Sequence, residues 1–218
     1  MGNYDVYKQD VLACAQWLAT HGYFGALRGT GGNVSMRIAG EPAVAVTPSM
    51  RPYRELSVAD ICIVDFDLKV IEGDARPSME TGMHIAVYRH RLDVNAVVHT
   101  HQAKASALSL INQPIPALYD EVVLHIGDVV DIVPYALSGT PELIDNVTLK
   151  LANNCHCYIL QNHGAVTVEK TAETYLTALS SGREITPIPA ANSDLLVEIR
   201  KGDQDKLAAK NKGLLAAQ

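Results

Sequence analysis

Two histidines one residue apart are the residues of this sequence best suited to chemistry. His99 and His101 close the apolar run 94–98, and a third histidine, His163, follows the strand-like run 158–160. In an extended segment, residues i and i+2 point to the same side, so His99 and His101 can present two imidazoles to one point. Three histidine nitrogens with a fourth position open form the ligand set of a catalytic divalent metal site. The spacing alone leaves a half-exposed strand pair as the alternative, because it does not show whether His163 comes close.

Other polar residues have ordinary interpretations when each is taken alone. Glu80 stands just inside a predicted helix N-terminus, where an acidic residue complements the helix dipole. His84, one helical turn later, is interpreted as a packed residue or a support for the ligands rather than as a fourth ligand. The glycine-rich segment 29–33 precedes a strand, so it is either a tight turn or a place where backbone N–H groups approach an anion. Thr-Pro-Ser at 47–49 and Pro-Ser at 77–78 are hydroxyl-bearing turns.

The whole chain excludes several classes of protein. Its 218 residues carry a formal net charge of −6, and its 18 lysines and arginines are scattered, which is not a footprint for nucleic acid or an anionic membrane. No apolar run approaches the roughly 18 residues of a membrane span, and the N-terminus has no signal pattern. Four cysteines do not make a dense disulfide framework. We therefore expect a cytoplasmic protein that acts on a small molecule.

The elements that must position these residues follow from hydrophobic periodicity and turn residues. The sequence is strand-rich early and mixed later, without regular strand–helix alternation, so we expect an α/β domain with a mixed sheet covered by helices. Residues 183–218 are Pro-containing, then charged and Ala-rich, and are predicted to be a C-terminal tail or a docked helix beside a domain spanning 1–182. The predicted helices are 11–21, 78–91, 103–110, 141–151 and 172–181, and the predicted strands are 33–38, 43–47, 61–65, 69–72, 94–101, 129–133, 157–160 and 166–168.

Taken together and in order, five motifs resemble one family. They are Gly-Thr-Gly-Gly-Asn-Val-Ser at 29–35, Thr-Pro-Ser at 47–49, Pro-Ser-Met-Glu at 77–80, Val-Val-His-Thr-His at 97–101 and Gln-Asn-His-Gly-Ala at 161–165. This is the motif order of the class II aldolase/adducin family, and the resemblance covers about residues 9–182. It implies a single α/β domain in which helices flank a central mixed or antiparallel sheet as a three-layer sandwich. It also implies a homotetramer with active sites at the subunit interfaces.

The same resemblance assigns roles to individual residues. It implies that His99, His101 and His163 bind one ion, with Zn²⁺ expected and Mn²⁺ or Co²⁺ as alternatives. It makes Glu80 the acid/base of an aldolase. A divalent cation stabilises the charge that carbon–carbon cleavage leaves on the substrate, and a nearby carboxylate moves the proton. The implied activity is that of a carbon–carbon lyase acting on a hydroxy-ketone, a sugar-phosphate aldolase similar to those that cleave L-fuculose 1-phosphate.

The residues expected to contact the substrate match the family motifs less closely than the metal ligands do. The residues that match its phosphate loops are Gly32, Asn33, Ser49 and Ser78. Met50 and Met79 replace polar or small residues of those loops and bring apolar bulk without hydrogen-bond donors. Asp120 stands where the aldolases carry a tyrosine, so Asp120 and Glu121 are either a second acid/base pair or two solvated loop carboxylates.

Three other functions are compatible with the same motifs. A second acid/base pair suits a decarboxylase of a small keto or hydroxy acid on the same metal site. Sugar-phosphate 4-epimerases of the family also resemble the chain, but they typically carry aspartate where Glu80 stands. A non-catalytic scaffold similar to the adducin head domain is disfavoured, because such domains lack the metal histidines that this chain keeps.

Overall fold

The computed structural model describes residues 4–25, 31–118 and 120–169, apart from the side chains of residues 121 and 124. Helix 172–181 and the tail 183–218, both predicted from the sequence, lie outside the described residues and stay predictions. No helix within the described ranges is both long and apolar enough to cross a membrane. The elements are α1 (Asp5–Thr20), β1 (Gly32–Arg37), β2 (Ala43–Val46), β3 (Cys62–Asp65), β4 (Val70–Glu72), α2 (Thr81–His90), β5 (Ala96–Thr100), α3 (Ala103–Ser109), β6 (Ile115–Pro116), α4 (Asp120–His125), β7 (Val129–Val133), α5 (Pro141–Lys150), β8 (Cys157–Leu160) and β9 (Gly164–Glu169), with short 3₁₀ turns at Tyr53–Glu55, Val58–Asp60 and Leu151–Asn153.

The described strands form one mixed sheet. Their spatial order is β4-β3-β2-β1-β5-β9-β8-β7-β6. Every pair is antiparallel except β7–β8, which is parallel because helix α5 and the 3₁₀ turn after it form the crossover between the two strands. The prediction of a mixed α/β sheet is confirmed. Strand β5 lies between β1 and β9, so the histidine strand is at the centre of the sheet.

Helices cover both faces of the sheet and make three layers. On β2, Ala45 packs with Val11 and Leu18 of α1 in one apolar cluster. Its neighbour Val44 packs with Leu143 of α5 in the other. Neighbouring strand residues point to opposite faces, so both sets are buried. Each fully buried aliphatic side chain of this kind contributes about 1.5–3 kcal/mol to folding. The two cores hold β5 between them and make it a rigid support.

The predicted helix at 78–91 begins later than expected. The helix starts at Thr81 rather than at residue 78, and Glu80 occupies the N-cap position. The Ser78 hydroxyl accepts a hydrogen bond from the Glu80 backbone N–H at 3.3 Å, and the Thr81 hydroxyl donates to the Ser78 carbonyl. The consequence is that Glu80 lies at the junction of loop and helix, where its side chain can turn toward the sheet.

Candidate active site

The three histidines predicted as ligands lie together at one end of β5. Their candidate ligand nitrogens are all within 4.8 Å of one another. The Nε2 atoms of His99 and His101 are 2.9 Å apart, and the rings of His99 and His163 are 4.7 Å apart between centroids. His99 is wholly buried, whereas the other two are partly exposed. The cluster is therefore buried at His99 and accessible from the side of His101 and His163.

Strand pairing explains why His163, more than sixty residues away in sequence, joins the other two. In the β5–β9 ladder, Thr100 pairs with Ala165. In the β8–β9 hairpin, Leu160 pairs with Gly164, so His163 lies in the connecting turn. Asn162 adopts the left-handed conformation that the turn needs, with φ 55°. The turn consequently places the His163 ring beside the end of β5.

Glycines on β1 and β9 let the backbones of these strands come close to β5 beside the imidazoles. A Cβ atom at Gly164 would lie 2.3 Å from the Thr100 carbonyl oxygen and 3.3 Å from His99 Cε1. A Cβ atom at Gly32, where φ is +93°, would lie 2.3 Å from the His99 carbonyl oxygen. Only glycine fits where the backbones of neighbouring strands come this close. The glycine of the His-Gly motif thus has a steric reason to follow His163.

Glu80 faces the same cluster. Its Oε2 atom is 3.3 Å from His99 Nε2, and its Oε1 atom is 3.6 Å from His163 Nε2. The Asn33 side-chain amide donates a hydrogen bond of 2.9 Å to Oε2. Asn33 is the cross-strand partner of His99, which explains why an amide from β1 reaches the carboxylate. Glu80 is 7% exposed, so it is a buried carboxylate, and among the described side chains Asn33 alone donates a hydrogen bond to it.

Burial and mutual proximity set the protonation of these groups. Burial, followed by the neighbouring histidines, lowers the pKa of His101 to about 4, and burial with His99 lowers the pKa of His163 to about 4. Both imidazoles are therefore neutral at pH 7. Burial by itself would raise the pKa of Glu80, but His99, His163 and the Asn33 amide together lower it. The site offers neutral imidazoles and an ionised carboxylate, which is the state that metal binding requires.

Two further observations show that these residues fit a divalent metal. His99 Nδ1 is 2.9 Å from the Ala165 carbonyl oxygen, which can only accept, so Nδ1 carries a proton and Nε2 is the nitrogen that can serve as a ligand. Glu80 Oε1 is buried and has no hydrogen-bond partner. A cation among the three histidines would bind His99 Nε2 and lie near Glu80 Oε1. Within the described residues, this histidine cluster can hold a metal ion.

The residues predicted to bind phosphate lie at the start of β1 and in the two loops that carry Ser49 and Ser78, and their donors are partly occupied. The Ser49 N–H donates to the Arg76 carbonyl and the Ser78 N–H donates to the Thr47 carbonyl. The loops that carry Ser49 and Ser78, called the serine loops below, are therefore hydrogen-bonded to each other. Asn33 uses its amide on Glu80. The serine hydroxyls are the donors best suited to a substrate, and the methionine that follows each serine is exposed.

Of the second predicted acid/base pair, the structure describes the side chain of Asp120 alone. Asp120 is exposed at the first position of α4 and, among the described contacts, makes no hydrogen bond or ion pair with the histidines. The side chain of Glu121 lies outside the described residues. The role proposed for this pair stays a prediction.

Two further features support these residues: the Ser138 contact was not expected from the sequence, whereas His84 was expected there as a packed or supporting residue. The Ser138 hydroxyl is 3.3 Å from His163 Nε2, and a single serine in a loop carries no pattern that would reveal it. Behind Glu80, His84 Nδ1 is 2.7 Å from the Ser35 hydroxyl, which is 2.8 Å from the Tyr88 hydroxyl. The spacing of four residues between Glu80, His84 and Tyr88 was the available signal.

Comparison with known proteins identifies the family. Residues 9–188 match the model of the class II aldolase and adducin N-terminal domain. The chain belongs to this family. The chain is 36% identical to L-fuculose phosphate aldolase of Escherichia coli O157:H7 over 185 residues. The alignment covers 78% of this chain and 82% of that protein. The 5-deoxy-D-ribulose 1-phosphate aldolase of Bacillus thuringiensis serovar kurstaki is 35% identical over 142 residues, covering 65% of this chain and 66% of that protein.

Solved structures of the family have the same fold. An L-fuculose 1-phosphate aldolase superimposes with a TM-score of 0.70 at 26% identity and covers 95% of this chain and 96% of its own. YgbL from Klebsiella pneumoniae, whose reaction is given as aldolase, epimerase or decarboxylase, superimposes with a TM-score of 0.71 at 25% identity, with 84% and 88% coverage. Because the chain belongs to the class II aldolase family, it is a lyase. Class II aldolases depend on a divalent metal ion.

Proposed function

We propose that this protein is a zinc-dependent aldolase that cleaves a carbon–carbon bond of a small phosphorylated hydroxy-ketone similar to L-fuculose 1-phosphate. The observation that carries the proposal is the convergence of His99, His101 and His163 on one point, with the Glu80 carboxylate 3.3 Å and 3.6 Å from two of them. The relatives named as sugar-phosphate aldolases support the substrate class. Three imidazoles in a compact cluster favour Zn²⁺, while Mn²⁺ and Co²⁺ remain as alternatives.

Each residue has a distinct task in this proposal. His99, His101 and His163 hold the cation, which supplies Lewis-acid stabilisation of the charge that bond cleavage leaves on substrate oxygens. The Ala165 carbonyl holds the His99 ring through Nδ1 and keeps Nε2 available as a ligand atom. Glu80 is the acid/base: its ionised carboxylate takes the hydroxyl proton of the substrate as the carbon–carbon bond breaks, and then delivers that proton to the carbon that loses the bond; in the condensation direction it removes the proton from that carbon. Asn33 holds Oε2, which leaves Oε1 for the proton.

In this proposal, the serine loops bind the phosphate end of the substrate. We infer that Gly32, Asn33, Ser49 and Ser78 surround it, with the two serine hydroxyls as donors. The serine loops are joined by a bridge between Pro48 and Pro77, which supports their acting as one wall of the site. The homotetramer implied by the family resemblance is part of the proposal, and light scattering of the purified protein tests it.

The deciding experiment compares phosphorylated ketoses, the same ketoses without phosphate, and β-keto acids, with identification of every product. The expected result is an aldehyde released from a ketose 1-phosphate, loss of this activity with a chelator, and its return with Zn²⁺. Protein purified without a histidine tag should carry about one divalent ion per chain, matching the one histidine cluster found among the described residues. Failure to bind Zn²⁺, Mn²⁺ or Co²⁺ on reconstitution would refute the metal site.

A decarboxylase is the second candidate, favoured by one specific observation. Met50 and Met79 are 83% and 57% exposed, and they follow Ser49 and Ser78, whose backbone N–H groups are already bonded within the protein. These loops offer a phosphate fewer donors than loops that end in small polar residues. Release of CO₂ from a keto acid, without an aldehyde, would replace the aldolase by this function.

A further inference from the structure

Helix α2 and strand β1 face each other through a row of buried polar side chains. Glu80, His84 and Tyr88 follow one another at intervals of four residues along α2, and Asn33 and Ser35 are two apart on β1. Four helical residues rise about 6 Å and two strand residues about 6.6 Å, so the two rows stay in register. Asn33 binds Glu80, and the Ser35 hydroxyl lies next to both His84 and Tyr88.

His84 is the member of this row whose chemistry the reaction has not used. It is wholly buried, its Nδ1 atom is held by the Ser35 hydroxyl at 2.7 Å, and its Nε2 atom has no hydrogen-bond partner. The described histidine cluster that can hold a metal does not include it. His84 follows Glu80 by one helical turn, and the neighbouring charged groups that influence its pKa, after burial, are His99 and Glu80. A buried polar atom without a partner is costly and calls for a functional explanation.

The hydrogen-bond pattern permits two neutral forms of His84. The Tyr88 hydroxyl donates to the Ser35 carbonyl oxygen at 2.9 Å, which leaves the Ser35 hydroxyl proton free to point either way. If Ser35 donates to Nδ1, then Nε2 carries the proton. If Nδ1 donates to Ser35, Nε2 has a bare lone pair. Glu80 precedes His84 by one helical turn on the same face of the helix, and its negative charge favours the first form, because an N–H dipole near an anion is stabilised and a lone pair is not.

We propose that His84 is a positioning residue: Ser35 holds its Nδ1 atom, and its Nε2–H group points toward Glu80 and keeps the carboxylate turned to the histidine cluster. This inference rests on the proposed function, because it assumes that Glu80 is the acid/base. Two groups then orient the Glu80 carboxylate: the Asn33 amide donates a hydrogen bond to Oε2, and the His84 N–H dipole acts on it from helix α2. Burial lowers the pKa of His84 to about 3, so the ring is neutral and supplies a dipole rather than a charge.

The tautomer of His84 is measured directly and without substrate. In ¹⁵N-histidine-labelled protein, with the His84 signals assigned by their loss in a His84→Gln variant, the expected spectrum shows a protonated Nε2 and a bare Nδ1 at neutral pH. The opposite tautomer, or an imidazolium, overturns the proposal. Because no turnover is needed, this measurement holds or fails independently of the reaction assigned to the site.

A matched pair of variants tests the positioning role in the enzyme. Glutamine can place an N–H donor near the position of Nε2, whereas asparagine reaches only the position of Nδ1, so His84→Gln and His84→Asn separate the two donor positions. For His84→Gln we expect kcat within about threefold of the parent. For His84→Asn we expect a fall of about tenfold or more, with KM and zinc content unchanged, because small misplacement of a catalytic group costs rate. Equal losses in both variants, or a loss confined to KM or zinc content, contradict the role.

Discussion

Replacing Gly164 with alanine should displace two of the three histidine ligands at once. A Cβ atom at this position would lie 2.3 Å from the Thr100 carbonyl oxygen, where ordinary contact begins at about 3.4 Å. The atom in the way belongs to the backbone of β5, so no side-chain rotation relieves the contact. Thr100 lies between His99 and His101, and the end of β5 must therefore move away from β9 by about 1 Å.

The size of this movement decides the outcome. Ligand distances in a metal site vary by only about 0.2 Å, so a shift of about 1 Å for two ligands breaks the coordination geometry. Loss of orientation around metal ligands typically costs about 10–100-fold in affinity. We expect Gly164→Ala to weaken zinc binding by about a hundredfold or more. The strain should also lower the free energy of unfolding by about 1–3 kcal/mol.

The assay is competition of the protein with a fluorescent zinc chelator, together with thermal unfolding of the metal-free form. Gly82→Ala is the matched control: it adds the same methyl group near Glu80, but its nearest contact, at 2.9 Å, is the flexible end of Ile144. The control should bind zinc like the parent. Zinc affinity within threefold of the parent in Gly164→Ala, in a folded protein, would refute the steric argument.

Three further predictions follow from charges at and near the site. Glu80→Gln should keep one zinc ion per chain but reduce kcat about a hundredfold, as metal analysis and steady-state kinetics will show, since the neutral isostere cannot take a proton. Burial raises the pKa of Glu169 to about 7, so this group favours the folded state at pH 4.5 and below and loses that advantage as the pH rises to 7. Glu169→Gln should therefore stabilise the protein at pH 8 by about 1–2 kcal/mol, allowing for partial exposure, with no gain at pH 4, in denaturant titrations at both pH values. Removing the metal with a chelator should lower the melting temperature, and zinc should restore it.

Local features of this chain could be predicted from sequence, because they depend on neighbouring residues. The apolar runs 129–133 and 157–160 match β7 and β8, and the period of two explains why His99 and His101 share a side. Strand β6 has two residues and helix α4 has six, and elements this short carry no periodicity to recognise. The sequence therefore revealed the elements that have enough residues to show a pattern.

The parts of the site that could not be predicted depend on pairing between distant strands. His163 reaches the cluster only through the register of β5 with β9, which no spacing in the sequence determines. The phosphate-binding role predicted for Asn33 stays a prediction, and the sequence did not reveal that its position opposite His99 brings its amide to Glu80. The family resemblance supplied the grouping of the histidines before the geometry explained it. It did not supply the contact between Asn33 and Glu80, which follows from the packing of α2 on β1.

The arrangement of acceptors at the cluster explains why the site suits a cation. Because His99 Nδ1 donates to the Ala165 carbonyl, Nε2 is the His99 nitrogen that faces the cluster, 3.3 Å from the Glu80 carboxylate and 2.9 Å from His101 Nε2. Among the described side chains, the Asn33 amide donates a hydrogen bond to the carboxylate at Oε2, while Oε1 has no hydrogen-bond partner. A divalent cation would bind the imidazole nitrogens and place a positive charge beside the carboxylate, so its binding energy would offset the cost of burying Glu80. The same reasoning explains the neutral imidazole of His84 on the far side of the carboxylate: a second charge there would compete with the metal, whereas a dipole orients Glu80 without neutralising it.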